Sequence, residues 1–79
     1  MWNYRTIKHK TEDNEEYLAI HEVFYDEDND DNPNACTKEP IQIVGENLES
    51  IKWQILKIRK ALKKPILDYQ LFLDMETNN

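Results

Sequence analysis

The stretch that decides the fold is Gly45–Pro65, G-E-N-L-E-S-I-K-W-Q-I-L-K-I-R-K-A-L-K-K-P. Leu48, Ile51, Ile55, Ile58 and Leu62 recur at alternating steps of three and four, which places them on one stripe of an α-helix. Asn47 is a good N-cap because its short side-chain oxygen can accept from an amide of the first turn, and Glu49 suits the positive end of the helix dipole. Ser50 stands where a full capping box has Glu or Gln, so half of that motif is present. Lys60, Lys63 and Lys64 complement the negative end, and Pro65 ends the helix because it has no amide hydrogen to donate. A helix of about 17 residues spans roughly 25 Å, enough to cover three short strands. The stripe is expected to lie on a sheet and form the hydrophobic core there.

Upstream, the sequence supplies that sheet. Trp2–Lys10 mixes aromatic and β-branched residues with charges and has no breaker, which reads as a strand. Thr11–Glu15 is a polar turn centred on Asp13-Asn14, residue types that tolerate turn conformations. Glu16–Asp26 is the strongest strand. One of its faces carries Leu18, Ile20, Glu22 and Phe24, and the other Tyr17, Ala19, His21, Val23 and Tyr25. Neither face is wholly polar, so both are expected to be partly covered. Asp26–Asn34 is a loop, and Ala35–Lys38 is a short third strand that can continue past Pro40 as Ile41–Val44. Proline removes one ladder donor, so this strand belongs at an edge or a bulge. The resulting fold class is α+β: a three-stranded antiparallel meander packed by one long helix, β-β-β-α, in a single domain over residues 1–65. Residues 66–79 form an apolar C-terminal tail or short second helix with a frayed end, and Ile66–Leu73 is too apolar to be left in water.

Composition limits the functions open to such a chain. Its 79 residues carry 16 acidic and 10 basic side chains, a net charge of -6. The length suits one domain and excludes a two-domain enzyme. The single glycine, Gly45, cannot build a phosphate-cradling loop, and the single cysteine, Cys36, leaves no disulfide framework and points to a reducing cytoplasm. No apolar run approaches the roughly 18 residues of a membrane span, and the charged start does not resemble a secretory signal. The charge is segregated. Thr11–Asn34 holds ten acids and no Lys or Arg, and Lys52–Lys64 holds six basic residues and no acid. Such asymmetry bears on partners and solubility rather than on fold.

Candidate chemistry is sparse. His9, His21 and Cys36 are the soft metal ligands, each on a different strand and without C-x-x-C or H-x-x-x-H spacing, so neither zinc nor a Cys-His nucleophile is advertised. Shared proton or metal chemistry would require the three within about 8 Å of one another. Asp26-x-Asp28-x-Asp30-x-Asn32 imitates the odd-numbered ligands of a calcium loop. Its sixth place is Asp31 rather than glycine and its twelfth is Thr37 rather than glutamate, so no specific calcium site is expected. No catalytic residue, metal or cofactor is assigned.

Trp53 is the anomaly. It lies opposite the Ile/Leu stripe, with Lys57, Lys60 and Lys64 on its own face. An aromatic among lysines can stack a nucleobase while the ammoniums meet phosphates. It can also be a protein hot spot, because tryptophan is enriched in them. A third arrangement has the tail residues Leu67, Tyr69, Leu71 and Phe72 folding over Trp53. The partner-binding candidates are therefore Trp53, Lys57, Lys60, Lys64, Leu67, Tyr69, Leu71 and Phe72.

Several motifs together carry a resemblance. Trp2-x-Tyr4-Arg5, Ile20-His21-Glu22-Val23-Phe24-Tyr25-Asp26, Ala35-Cys36-Thr37, Pro40, Gly45-Glu46-x-Leu48-Glu49 and Ala61-Leu62-x-Lys64-Pro65-x-Leu67-Asp68-Tyr69 resemble a family of short bacterial proteins with no assigned activity. The resemblance covers nearly the whole chain and implies a bacterial cytoplasmic protein. The Asp28–Asn34 loop departs from it where a shorter glycine-containing turn is usual. The element order and Gly45-Glu46-x-Leu48-Glu49 are also similar to the HicB-like antitoxin domain, a β-β-β-α fold related to double-stranded-RNA-binding domains, without its glycine-rich second hairpin. A likeness of layout implies a fold and no function. The expected role is a non-catalytic interaction module binding a protein partner or, as a homodimer, itself. The alternative is an antitoxin-like or nucleic-acid-contacting protein that uses the Trp53/Lys face.

Overall fold

The structure, a computed structural model, describes residues 1–26 and 32–77. β1 (Trp2–Lys10) and β2 (Glu16–Tyr25) form a long antiparallel hairpin in which Lys10 pairs with Glu16 and Trp2 with Phe24. Its turn falls on Asp13-Asn14 as expected. Asn14 adopts φ 69°, a left-handed conformation that asparagine tolerates better than most residues. Thr11 closes the turn: its amide donates to the Glu15 carbonyl, and its hydroxyl accepts from the Glu15 amide.

The sheet has four strands rather than three, in the order β3-β2-β1-β4. β3 (Pro33–Cys36) is a bulged antiparallel edge strand on β2. Beyond it, amides of Thr37 and Ile41 donate to Glu22 and Ile20 on either side of Pro40, and Ile41–Val44 forms no strand. The fourth strand lies in the segment read from sequence as a tail. β4 (Leu67–Asp68) pairs parallel with β1 at Ile7 and Lys8, so the sheet is mixed and not a pure meander.

Each sheet face carries one helix. α1 (Leu48–Leu62) begins as anticipated at Asn47, whose Oδ1 accepts from the Ser50 amide at 2.9 Å, and it stops before Pro65. Gly45 enters it at a point where a Cβ would lie 2.6 Å from the Ser50 Cβ, so only glycine fits there. α2 (Gln70–Thr77) covers the opposite face. The Asp68 carboxylate opens it by accepting from the Gln70 amide at 2.9 Å.

The core lies under α2, not under α1. Ile7, Val23, Tyr25 and Phe72 are its buried members, with Cys36, Leu67, Tyr69 and Met75 packed against them. This corrects the expectation that the Ile/Leu stripe of the long helix makes the core. α1 lies over β1 and buries Ala61 alone; Leu48, Ile55 and Leu62 stay 65%, 41% and 64% exposed. Leu18 and Phe24 of β2 share the α1 side of the sheet with Trp2 and Tyr4, and they too remain exposed. Buried Arg5 ties the end of α1 to the hairpin. Its guanidinium donates to the Pro65 carbonyl at 2.7 Å and to the Tyr25 hydroxyl at 3.0 Å, and that hydroxyl donates on to Asn3.

Candidate functional site

The outward side of α1 leaves large apolar side chains exposed. The helix meets the sheet with the side that carries Ala61, and Gln54, Lys57 and Ile58 are only partly exposed. The apolar stripe is rotated away from that contact. Ile51 and Ile58 are half-buried at its inner edge, and Leu48, Ile55 and Leu62 form an outer row joined by exposed Leu56. Ile51, Ile55 and Leu56, with the stems of Lys52 and Arg59, border a shallow depression of about 330 Å³.

Trp53 is 49% exposed, and the tail does not cover it, because the tail packs on the other sheet face. Its neighbours are Trp2, at a ring separation of 6.4 Å in an edge-on arrangement, and Lys57. The Lys57 ammonium sits 5.2 Å from the Trp53 ring and 5.1 Å from the Trp2 ring. A lysine held between two indoles by cation–π attraction has to leave them before it can meet a phosphate. Lys60 and Lys64 are exposed near the end of the helix. The other candidates divide: Leu71 is exposed, whereas Leu67 and Tyr69 are half-buried against the core and Phe72 is 5% exposed within it. Leu67, Tyr69 and Phe72 pack against the apolar face of the sheet rather than over Trp53.

The two histidines form a contact that sequence spacing does not advertise. His9 Nε2 and His21 Nε2 are 2.8 Å apart, and both rings are buried. His21 Nδ1 lies 2.9 Å from the Thr37 carbonyl. A carbonyl only accepts, so His21 carries its proton on Nδ1, its Nε2 is the acceptor, and His9 Nε2–H is the donor. His9 is stacked on Tyr17 at 5.0 Å and flanked by Tyr69 at 4.5 Å. Burial pushes the His9 pKa below the usual 6.5; His21 acts in the same direction, and Asp68 opposes both. The pair lies in a cleft of about 330 Å³ whose rim includes Lys38, Glu39 and Pro40. Both ring nitrogens of His21 thus meet protein partners.

Cys36 stands opposite Val23 on β3 and borders a separate cleft with Phe72 and Met75. Among the described residues, no three of His, Cys, Asp or Glu converge as a metal would require. The Asp/Asn run read against a calcium loop lies largely outside the described residues. Within them, Asn34 donates to the Asp26 carboxylate at 2.6 Å. Among the described residues, no helix is long and apolar enough to cross a membrane.

No known protein family, no curated protein and no solved structure matches this chain.

Proposed function

We propose that this chain is a small, non-catalytic interaction module that binds a protein partner or itself through the outward face of α1. One observation supports the reading above others: a well-capped amphipathic helix is seated on its sheet by Ala61, while Leu48, Ile55 and Leu62 point away from the core. Docking such a row removes apolar surface from water at about 25 cal/mol per Å². Trp53, on the opposite side of the helix and edge-on to Trp2 of β1, lies outside that contact.

The alternative, a nucleic-acid contact by Trp53, Lys57, Lys60 and Lys64, draws support from exposed Lys60 and Lys64. It loses Lys57, whose ammonium is held by the two indoles. Trp53→Ala separates the readings, since it should abolish low-salt binding to a random RNA or DNA pool under the alternative only. The main reading is tested by size-exclusion of the full chain, pure and in host extract. The expected result is elution above the 9.5 kDa of one chain, lost with Ile55→Asp. Monomeric elution of the unaltered chain under both conditions overturns it.

A further inference from the structure

We infer that His9 and His21 form a chelating site for one tetragonal divalent transition-metal ion, Ni²⁺ or Cu²⁺, bound by both Nε2 atoms. The site lies on the α2 side of the sheet and is independent of the α1 face.

The first ground is convergence. The two Nε2 atoms are 2.8 Å apart. Two ligands at right angles, each about 2.0–2.1 Å from one ion, stand about 2.9 Å apart, and tetrahedral ligands about 3.3 Å apart. The pair is thus spaced for adjacent positions of a tetragonal ion, the geometry of Cu²⁺ and Ni²⁺ rather than of Zn²⁺. The rings lie end to end with their centroids 4.9 Å apart. To bind, His9 moves its ring proton from Nε2 to Nδ1, and both rings tilt toward the cleft so that their lone pairs meet on the ion. The ion then replaces the hydrogen bond between them.

The second ground is orientation. A metal-binding imidazole is usually held by a hydrogen bond at its other nitrogen, which fixes the tautomer and the ring. His21 has that support: its Nδ1 lies 2.9 Å from the Thr37 carbonyl, which leaves Nε2 for an ion. His9 is held by packing instead, stacked on Tyr17 at 5.0 Å and flanked by Tyr69 at 4.5 Å. Ligands ordered before the ion arrives lose little freedom in binding it.

The third ground is access. The cleft of about 330 Å³ opens on both rings, with Glu39 and Lys38 at its rim, and has room for water in the remaining positions of the ion. Among the described residues, no third His, Cys, Asp or Glu joins the pair. The ion is therefore held reversibly by two imidazoles and water, unlike a structural centre closed by four side chains.

Ni²⁺ and Cu²⁺ added to the full chain, free of any histidine tag, test the site. Calorimetry is expected to show one Ni²⁺ per chain with a dissociation constant in the micromolar range. Electron paramagnetic resonance of the Cu²⁺ form is expected to show coupling to two imidazole nitrogens. His9→Gln and His21→Gln should each weaken Ni²⁺ binding by more than about tenfold and leave a single coupled imidazole. Ni²⁺ affinity unchanged in both variants overturns the site. A Cu²⁺ spectrum with oxygen ligands alone, as the acidic Asp26–Asp31 run would give, also overturns it. Zn²⁺ bound more tightly than Ni²⁺ overturns the right-angled geometry. If a variant does not fold, the Cu²⁺ spectrum of the unaltered chain decides by itself, and fewer than two imidazole nitrogens in it contradicts the proposal.

Discussion

The two helices invert the usual relation between local signals and burial. α1 has a capping asparagine, an acid in its first turn, bases in its last and a continuous apolar stripe, yet it buries one alanine. α2 has eight residues, with no acid in its first turn and no base in its last, and it places Phe72 at the centre of the core. A helix that short has little stability of its own in water. The difference lies in the two sheet faces. Ile7, Val23 and Tyr25 present an apolar floor that takes α2. The other face mixes Tyr4, Thr6, Lys8 and Glu22 with Trp2, Leu18, Ile20 and Phe24, and α1 meets it over β1 with its Ala61, Gln54 and Lys57 side. Helix formation and core formation are thus separately specified, and the stripe of the strongest helix stays outside the core.

The comparison breaks most severely if the tail proves dispensable. A chain ending at Pro65 loses β4 and α2 together and with them the cover over Ile7 and Val23. It should show no cooperative unfolding by urea or heat; a retained sharp transition would return the core to α1. Next in size is Arg5→Ala, which removes the clamp between Tyr25 and the end of α1. Loss of two hydrogen bonds from a buried cation should cost about 2–3 kcal/mol in urea unfolding. His21→Ala, which leaves the Thr37 carbonyl and the His9 donor without their partner, should cost about 1–3 kcal/mol. Asn47→Ala should cost about 1 kcal/mol and loosen only the first turn of α1, read by amide hydrogen exchange.

The smallest effect is a pH dependence on the α2 side. Because the folded pKa of His9 lies below its unfolded value of 6.5, the unfolded chain binds more protons around that pH. Stability should be flat above it, fall as pH drops below about 6.5, and level off once folded His9 is protonated too. Proton uptake falls on His9 Nδ1, since two protonated Nε2 atoms cannot face each other at contact distance. The Asp68 carboxyl, held below the usual 3.8 by the Gln70 amide and by Lys8, adds its own loss only at lower pH. Urea midpoints measured from neutral to mildly acidic pH should show the slope in the unaltered chain and a shallower one in His9→Gln.

Much of this was legible from residues alone. The limits of β1, the Asp13-Asn14 turn, the Asn47 cap and the Pro65 stop all follow from local chemistry, and the structure has each of them. The direction of the α1 stripe was not, because periodicity shows that an apolar side exists and not whether a sheet or another chain meets it. β4 was hidden by its length: two residues in parallel pairing leave no alternation to read. The histidine contact had a usable signal. With the turn at Asp13-Asn14, the register sets His9 opposite Tyr17, and alternation then places His21 on the same face two steps along. Only the 2.8 Å approach of the two rings required three dimensions.

The separation of the core from the α1 stripe rests on one comparison of stabilities. Phe72→Ala and Ile55→Ala should be unfolded by urea side by side, at a concentration low enough that the chain is monomeric. The expected loss is about 3–5 kcal/mol for Phe72 and under about 1 kcal/mol for Ile55, whose side chain faces outward. A large loss for Ile55 with a small one for Phe72 would contradict the account, because it would place the core beneath α1.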